Sequence, residues 1–378
     1  MATLLQVLPA LERGGVERGT VDLARFLKRA GHQPLVASAG GGLVAELEAD
    51  GITHLALPLA SKNPLTIWQN AARLGELMRQ HGVELVHARS RAPAWSARIA
   101  CRRTGTPFVT TVHAVYGGYD YRLKRRYNAV MASGDRVIAI SDYVAEHVCE
   151  VYGIGPDVLR TIYRGVEVGE FDPASVSPER IAKLQAQFQV PPGRQIVLLP
   201  GRITRIKGHF LVAEAVARIA RDDFVVLFVG PDTPGSSYSA ELHAKIQALG
   251  LAGRVRLVGG TGDMAAALVL ADLVLAPSIG PEAFGRVSVE AQAMGKPVIA
   301  ADIGGLGETL LPATTGWLVP PGDAAALADA MDLALAMPAE TRARMGEQAR
   351  AWVREHFTAE RMCRQTLAVY AELLEGRA

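Results

Sequence analysis

The stretch ADLVLAPSIGPEAFGRVSVEAQAMGKPVIA, residues 271–300, decides the fold. It begins with a short apolar run, passes through a loop bounded by proline and glycine, continues with helical periodicity and ends in a second apolar run. Short apolar runs between turn signals predict buried strands, so this stretch predicts a strand, a loop, a helix and a second strand. Units of this kind build parallel sheets with helices on their faces.

The same alternation extends through nearly all of the 378 residues, a length that favours two α/β domains over one. We predict two doubly wound parallel sheets in tandem, with residues 164–192 as the connection and closing helices at the carboxyl end. The expected domains are residues 1–185 and 186–355, followed by a helix at 356–378; the sequence leaves open whether this helix packs back on the first domain or covers the second. The predicted strands are residues 4–8, 34–37, 54–57, 85–87, 108–112 and 136–140, then 195–200, 225–229, 255–258, 273–276 and 297–300.

The composition excludes several classes of protein. Hydrophobic residues make up 49% of the chain and charged residues 21%, as in a globular protein, and the net charge of +2 gives no support for nucleic-acid binding. Three scattered cysteines without a C-x-x-C pair favour a reducing cytosol over a disulfide framework. The amino terminus does not resemble a secretory signal, and no apolar run reaches the ~18 residues of a membrane span.

Basic residues concentrate in one segment. Between Arg73 and Arg126 there are eleven Lys and Arg against three Asp and Glu. An anionic membrane surface or a phosphorylated glycolipid is the expected partner of this segment, because basic residues near such a surface contribute about 1 kcal/mol each. The alternative is that many of them only solvate helix faces.

Two glutamates, Glu282 and Glu290, lie eight positions apart in the deciding stretch. The spacing itself recurs elsewhere in the chain, so the setting at a strand–loop–helix junction is what distinguishes this pair. Ligands of open α/β sheets bind beyond the carboxyl ends of the strands. A helix beginning near Gly285 would direct the amides of Phe284, Gly285 and Arg286 at an anion, and Glu290 could accept two hydrogen bonds from a ribose diol. The alternative is that both glutamates are first-turn acids favoured by the helix dipole.

Three other loops follow predicted strands. The loop PGRITRIKG, residues 200–208, offers Arg202 and Lys207 to one anion, such as a diphosphate leaving group; its alternative is a solvated basic loop. Gly14 and Gly15 allow positive φ and close approach to a phosphate or sugar, although any tight turn would use them. His113 is a candidate for hydrogen bonding to a sugar or for proton transfer, although a single histidine is usually structural.

Missing motifs narrow the chemistry. The chain contains no Asp-x-Asp and no His/Asp/Glu cluster with metal spacing, so we expect no metal and no other cofactor. It also lacks the G-x-S-x-G, G-x-x-x-x-G-K-[ST] and G-x-G-x-x-G patterns, which removes the usual support for hydrolase, ATPase and dinucleotide oxidoreductase activities.

With these residues in place, the chain resembles glycosyltransferase family 4 over nearly its full length. The resemblance rests on GGVE, TVHAVY, RGVEVGEFDP, GRITRIKG and PEAFGRVSVEAQAMGKPVIA, and within the family it is most similar to bacterial enzymes of lipopolysaccharide core and cell-envelope glycan synthesis. It implies the GT-B fold, two Rossmann-like domains facing across a cleft. It also implies a retaining, metal-independent transfer from a nucleotide-diphosphate sugar to a glycolipid or glycan, in the cytoplasm and peripherally at the inner face of the membrane.

The resemblance also implies roles for individual residues. Arg202 and Lys207 would contact the donor diphosphate, Glu290 the ribose, Glu282 the donor sugar and Gly15 a phosphate. The implied catalytic residues are His113, Arg202, Lys207 and Glu282; the implied donor-binding residues are Gly14, Gly15, Arg202, Lys207, Glu282, Ala283, Phe284, Gly285, Arg286 and Glu290. The chain has Arg164 and Ala283 where family members often have Asn and Gly.

Two other functions stay open from the residues. A sugar-nucleotide epimerase of the same architecture would need an acid/base pair, for which His113 and Glu282 are the candidates. A non-catalytic sugar-nucleotide-binding protein would keep the same binding residues without transfer. The products formed from a candidate donor with an acceptor separate the three functions.

Overall fold

The computed structural model describes residues 1–12, 14–117, 121–233 and 235–376. The chain divides into two compact units, Met1–Tyr163 together with Ala359–Ala378, and Arg164–Thr358. Each unit contains one parallel sheet, of seven strands in the first and six in the second among the described residues. The prediction of two tandem α/β sheets is therefore confirmed.

The first unit is built on a sheet with strand order β3-β2-β1-β4-β5-β6-β7, so the order reverses between β1 and β4. Apolar side chains from α1 and the sheet form its core, with Leu4, Leu23 and Leu27 buried together. Its strands are β1 Thr3–Val7, β2 Gln33–Ser38, β3 Thr53–Ala56, β4 Leu85–Ala88, β5 Phe108–Val112, β6 Arg136–Ala139 and β7 Leu159–Thr161. Its first helices are α1 Gly15–Arg29, α2 Val44–Ala49, α3 Pro64–Gln80, α4 Arg91–Thr104, α5 Arg122–Asn128 and α6 Asp142–Tyr152.

The second unit has strand order β10-β9-β8-β11-β12-β13, which reverses between β8 and β11. Its central strands are continuous apolar runs, as expected where helices cover both faces of a parallel sheet. The strands are β8 Gln195–Pro200, β9 Phe224–Val229, β10 Val255–Leu257, β11 Leu273–Ala276, β12 Val298–Ala301 and β13 Gly316–Val319. The helices are α7 Pro178–Gln187, α8 His209–Arg218, α9 Tyr238–Ala248, α10 Met264–Leu270, α11 Arg286–Ala293, α12 Ala324–Ala336 and α13 Ala339–His356.

The boundary between the two units lies at a different residue from the predicted domain boundary. The predicted boundary was at residues 185 and 186, whereas the second unit begins at Arg164 and includes the whole predicted connection. The reason is bonding between distant parts of the chain: Arg180 donates to both oxygens of Asp263 at 2.7 Å, and Val166 pairs with Thr358 in an isolated bridge.

The last helix, α14 Ala359–Glu375, belongs to the first unit, three residues later than the helix predicted from residue 356. Its Tyr370 is fully buried, and the hydroxyl lies 2.5 Å from Nδ1 of His87 on β4. At the edge of the sheet formed by β6 and β7, Glu372 of α14 forms ion pairs with Arg136 at 2.7 Å and with Arg160 at 2.8 Å.

Candidate functional site

The loops that follow β8 and β11 lie side by side, because these strands are neighbours at the reversal of the second sheet. The Ile279 amide donates to the Ile206 carbonyl at 2.9 Å and joins them. Gly208 closes the first loop with φ +78°, and a Cβ there would overlap the Pro277 carbonyl oxygen. Any other residue would meet both the left-handed conformation and that overlap. The reversal of an open parallel sheet is where ligands of such folds bind.

Lys207 and Glu282 meet across these two loops. The Lys207 Nζ lies 2.8 Å from Oε1 of Glu282, and the two side chains are 24% and 22% exposed. The Ser278 hydroxyl, buried beneath, donates to the same oxygen. Within the described part of the chain, the other carboxylate oxygen, Oε2, accepts no hydrogen bond. The pair therefore fixes the carboxylate and leaves one oxygen for a ligand hydroxyl.

These three side chains line one small pocket, whose interior of about 10 Å³ has room for about one water molecule. Apolar side chains form the rest of the wall, including Leu275 of β11 and Leu306. The structure thus brings Lys207, Glu282 and Gly285 together, as the sequence predicted for the second domain.

Gly285 is the residue before α11 and has φ +122°. A Cβ built on it would lie 2.7 Å from Cδ1 of Leu306, so the turn into the helix requires glycine. Among the residues that the structure describes, no side chain caps this helix start. Phe284 is buried with its ring centroid 5.8 Å from that of Phe357, which makes its ring part of the core. The proposed donor contacts of Ala283, Phe284, Gly285 and Arg286 stay predictions.

Glu290 lies one turn into α11 and is only 7% exposed. Burial raises the pKa of its carboxyl, and the Arg286 guanidinium, 2.5 Å from Oε1, opposes that rise. The carboxylate is therefore held in a poorly hydrated position by one partly exposed arginine. Its proposed role at a ribose stays a prediction.

A buried polar network fixes α11 against the next loop. Gln292 donates to the Thr309 carbonyl at 2.8 Å, and Thr309 donates to the Ser288 hydroxyl at 2.8 Å. Trp352 of α13 donates to the same Thr309 carbonyl at 3.2 Å. These hydrogen bonds tie α11 to the next loop and to α13, although the buried Oε1 of Gln292 has no partner among the described residues.

The basic residues of the first loop differ in their surroundings. Arg202 is exposed, and among the described residues its guanidinium makes no hydrogen bond or ion pair. Arg205 turns away, pairing with Glu241 and stacking 5.1 Å from the Tyr238 ring centroid. Arg202 and Lys207 are therefore the two cations that this loop offers to an anion.

The first unit holds the remaining predicted residues, Gly14, Gly15 and His113. Gly14 precedes α1 with φ −163°, and Gly15 is its first residue, so neither adopts the positive φ that the sequence interpretation invoked. A Cβ at Gly14 would meet only the flexible Glu17 carboxylate, and the glycine pair is thus not explained by local strain. His113 directly follows β5 and is half-buried.

The sequence interpretation missed groups beside His113 and below Glu282. Burial raises the pKa of Tyr116 to about 12, and the Tyr116 hydroxyl is hydrogen-bonded to the His113 backbone. The Arg91 guanidinium lies over the Tyr116 ring, 4.3 Å from the ring centroid. Ser278, buried under Glu282, was also missed. Its position at the end of the β11 run, four residues before Glu282, was the available signal.

Two searches of the described residues gave no result. No group of three or more His, Cys, Asp or Glu lies where it could hold a metal ion. No described helix combines the length and apolar character needed to cross a membrane.

Comparisons with known proteins identify the family. Residues 13–170 match the family described as Glycosyltransferase Family 4, and residues 181–352 match Glycosyl transferases group 1. A D-inositol 3-phosphate glycosyltransferase of Saccharomonospora viridis is 30% identical over 314 residues, covering 77% of this chain and 70% of its own. The chain therefore belongs to the glycosyltransferases that these two family descriptions, family 4 and group 1, define.

Two solved structures extend the comparison to the fold. A glycosyltransferase from Rickettsia africae ESF-5 shares 39% identity with a TM-score of 0.91, covering 99% of this chain and 98% of its own. Anabaena HepE, in complex with UDP, shares 25% identity with a TM-score of 0.84, covering 98% of this chain and all 100% of its own. The fold is therefore that of the GT-B glycosyltransferases.

Proposed function

We propose that this glycosyltransferase transfers a sugar, with retention and without a metal ion, from a nucleotide-diphosphate sugar to a glycolipid or glycan acceptor of the bacterial cell envelope. The observation that carries the proposal is the Lys207–Glu282–Ser278 group at the reversal of the second sheet. It offers a fixed cation for a phosphate beside a carboxylate oxygen for a sugar hydroxyl, which are the two parts of such a donor.

Each donor part has a matching group. Lys207 and Arg202 supply charge-assisted hydrogen bonds to the diphosphate. Oε2 of Glu282 accepts from a sugar hydroxyl, and Glu290 accepts from the ribose. For Gly14 and Gly15, before and within the first turn of α1, and for His113, contact with the donor stays a prediction for the first unit.

The reaction follows from the charges. The acceptor oxygen attacks the anomeric carbon on the face from which the diphosphate leaves. The bond between the anomeric carbon and the diphosphate oxygen breaks, and the acceptor proton passes to that oxygen. No acid/base pair of carboxylates is then required, unlike in glycoside hydrolysis. Lys207 and Arg202 stabilise the charge that develops on the diphosphate, a contribution of about 2 to 4 kcal/mol for each such donor.

The nucleotide is proposed to be UDP, on the support of the UDP complex of HepE. A thermal-shift screen of UDP-, GDP- and ADP-sugars tests this, because a ligand at 100 times its dissociation constant adds about 2.7 kcal/mol of stability. Transfer to an envelope glycolipid is then followed by product mass. Stabilisation by none of the donors, or hydrolysis without transfer, would contradict the proposal.

We also propose that the first unit associates with anionic membranes. Exposed apolar side chains lie in and next to the basic segment bounded by Arg73 and Arg126: Leu123 within it is 85% exposed, and Trp68, five residues before it, is 58% exposed. The Arg103 guanidinium lies 5.3 Å from the Trp68 ring centroid. A face that combines basic and large apolar side chains is typical of interfacial binding. The exposed cations of this segment are Arg73, Arg79, Arg102, Arg103, Arg122, Lys124, Arg125 and Arg126.

Sedimentation with vesicles measures this association. We expect binding to vesicles containing phosphatidylglycerol, no binding to phosphatidylcholine, and loss of binding in high salt. Replacing Arg122 and Lys124 by Glu should weaken binding, whereas Arg344→Glu, an exposed reversal on α13 of the second unit, should not. Equal binding of all variants to both vesicles would remove the proposal.

A further inference from the structure

His209, the first residue of α8, is a buried histidine that the proposed chemistry does not use. It is 0% exposed and directly follows Gly208, which closes the loop that carries Lys207. Its ring packs edge-on against Phe228 of β9, with the ring centroids 4.9 Å apart, and its centroid lies 6.1 Å from that of Tyr238 on α9. A polar ring in such an apolar setting is costly, because its nitrogens lose their contact with water.

One hydrogen bond offsets part of this cost. The Nδ1 atom of His209 lies 3.2 Å from the Thr204 carbonyl oxygen, which can only accept, so Nδ1 carries the hydrogen. Burial lowers the pKa of His209 to about 4, although the bond to Thr204 opposes this change, and the ring is therefore neutral at neutral pH. The other nitrogen, Nε2, is buried and has no hydrogen-bond partner among the described residues.

The Thr204 carbonyl is the point at which the turn carrying Lys207 is held. It also accepts from the Lys207 backbone amide at 3.1 Å, around the short 3₁₀ turn Arg205–Lys207. His209 thus reaches back across this turn and bonds to the carbonyl at its start. The Lys207 side chain passes close to Gly201, where a Cβ would lie 3.5 Å from the Lys207 Cε. The conformation of the turn therefore determines where the ammonium group lies.

The unpaired Nε2 shows that histidine is not the residue that packs best at this position. A buried nitrogen without a partner costs about 1–3 kcal/mol, and an apolar side chain of similar size would avoid that cost. What a histidine adds here is the Nδ1 donor to the Thr204 carbonyl. The observed contacts therefore favour a role for this hydrogen bond over a role for the ring as core filling.

We propose that His209 is a positioning residue for donor binding: its Nδ1 donor holds the Thr204 carbonyl and thereby the turn that directs Lys207 at the diphosphate. The inference rests on the proposed function, because it concerns the proposed contact of Lys207 with the donor. Since His209 is fully buried, it acts through the backbone of the turn and not by touching the donor.

Two substitutions separate the Nδ1 donor from the bulk of the ring. Asn places an amide nitrogen at the position of Nδ1, whereas Leu fills the apolar space and has no donor. In calorimetric titrations with UDP, we expect His209→Leu to bind roughly 3- to 10-fold more weakly than the wild type, as for the loss of one hydrogen bond. His209→Asn should bind within about twofold of the wild type. The free energies of unfolding of the two variants should have the opposite order, because Leu buries more apolar surface than Asn.

Opposite orders of affinity and stability are not expected of a histidine that is merely structural. Wild-type affinity for UDP in His209→Leu, or affinities that follow the unfolding free energies of the variants, would overturn the proposal. Should His209→Leu not fold, His209→Gln takes its place, because the Gln amide lies one bond further out, at the level of Nε2; binding by His209→Gln as tight as by His209→Asn would equally overturn it. The matched control is His54→Leu in the first unit, which removes a half-buried histidine bonded to Ser38 at 2.8 Å and should keep the wild-type affinity.

Amide hydrogen exchange separates failure of this inference from failure of the proposed function, because it needs no donor. The Lys207 amide bonds to the Thr204 carbonyl, so its exchange should be faster in His209→Leu than in His209→Asn. Absence of nucleotide binding by the wild type would contradict the proposed donor site, and the exchange rates would still decide whether His209 holds the turn. Equal exchange of the Lys207 amide in the two variants would overturn the inference.

Discussion

Replacing Ser278 by Ala removes one of the two hydrogen bonds that hold Oε1 of Glu282 and leaves the Lys207 bond in place. Because the lost bond is to an ionised group, its removal costs about 1.5–3 kcal/mol. Glu282 should then sample positions that do not meet the sugar hydroxyl. We expect kcat/KM for transfer to fall by roughly 10- to 100-fold, at about tenfold for each ~1.4 kcal/mol.

The assay compares transfer with donor hydrolysis at saturating donor. A misplaced Glu282 should lower kcat for transfer more than it changes the dissociation constant of the free nucleotide, because the proposed contact of Glu282 is with the donor sugar. Ser96→Ala is the matched control: Ser96 is equally buried and donates to the Ile67 carbonyl at 3.2 Å in the first unit. It should lose stability without losing transfer. Wild-type kcat/KM in Ser278→Ala, with Glu282→Ala inactive, would refute the reasoning.

Three further perturbations test the second unit. Because burial raises the pKa of Glu290, donor binding should weaken as the pH falls through that raised pKa. At neutral pH the buried charge destabilises the folded protein, so Glu290→Gln should be more stable than the wild type there and should lose this advantage in acid. The opposite trend in denaturant titrations would contradict the burial effect. Lys207→Met should weaken donor binding by roughly 10- to 100-fold in calorimetry, whereas Lys245→Met, at a pair on α9, should not. Gly153→Ala should lower the free energy of unfolding by about 1–2 kcal/mol, because Gly153 has a positive φ but no atom near its Cβ position. Gly208→Ala should lower it by more, because its Cβ would also overlap the Pro277 carbonyl oxygen. Equal losses would show that this overlap is relieved by a small movement.

The sheets were predictable because their central strands are continuous apolar runs. β8 and β11 were predicted at their observed bounds. The strands that were not predicted, β7 and β13, are short and lie at the edges of their sheets, where partial exposure weakens the apolar signal. Edge strands bury less surface, so their sequences carry less of the pattern.

The unit boundary could not be read from composition. Residues 164–192 contain the proline, glycine and acidic residues of a connector, yet they fold onto the second unit through contacts between distant parts of the chain. Arg180 reaches Asp263, 83 residues away, and no local pattern encodes such a pairing. The return of α14 to the first unit depends in the same way on Tyr370 meeting His87.

For the candidate site, the sequence indicated which loops carry the candidate residues but not which side chains pair. The loops after β8 and β11 were identified from their position, yet the direct contact of Lys207 with Glu282 follows from the adjacency of two strands that are far apart in sequence. Arg205 belongs to the same loop as Lys207, but it pairs with Glu241 of α9 and not with Glu282. Sequence gives the side chains that a loop carries, and tertiary packing decides which of them face the ligand.

The Lys207–Glu282 pair need not separate when a donor binds. An ammonium group has three hydrogens, and the pair uses one of them at Oε1 of Glu282, so two remain for phosphate oxygens. The carboxylate in turn keeps Oε2 for a hydroxyl. A diphosphate would therefore add to the pair, and the glutamate would hold the lysine at the point where the leaving charge develops. Orientation set before binding costs nothing during the reaction, which is the condition for effective electrostatic stabilisation.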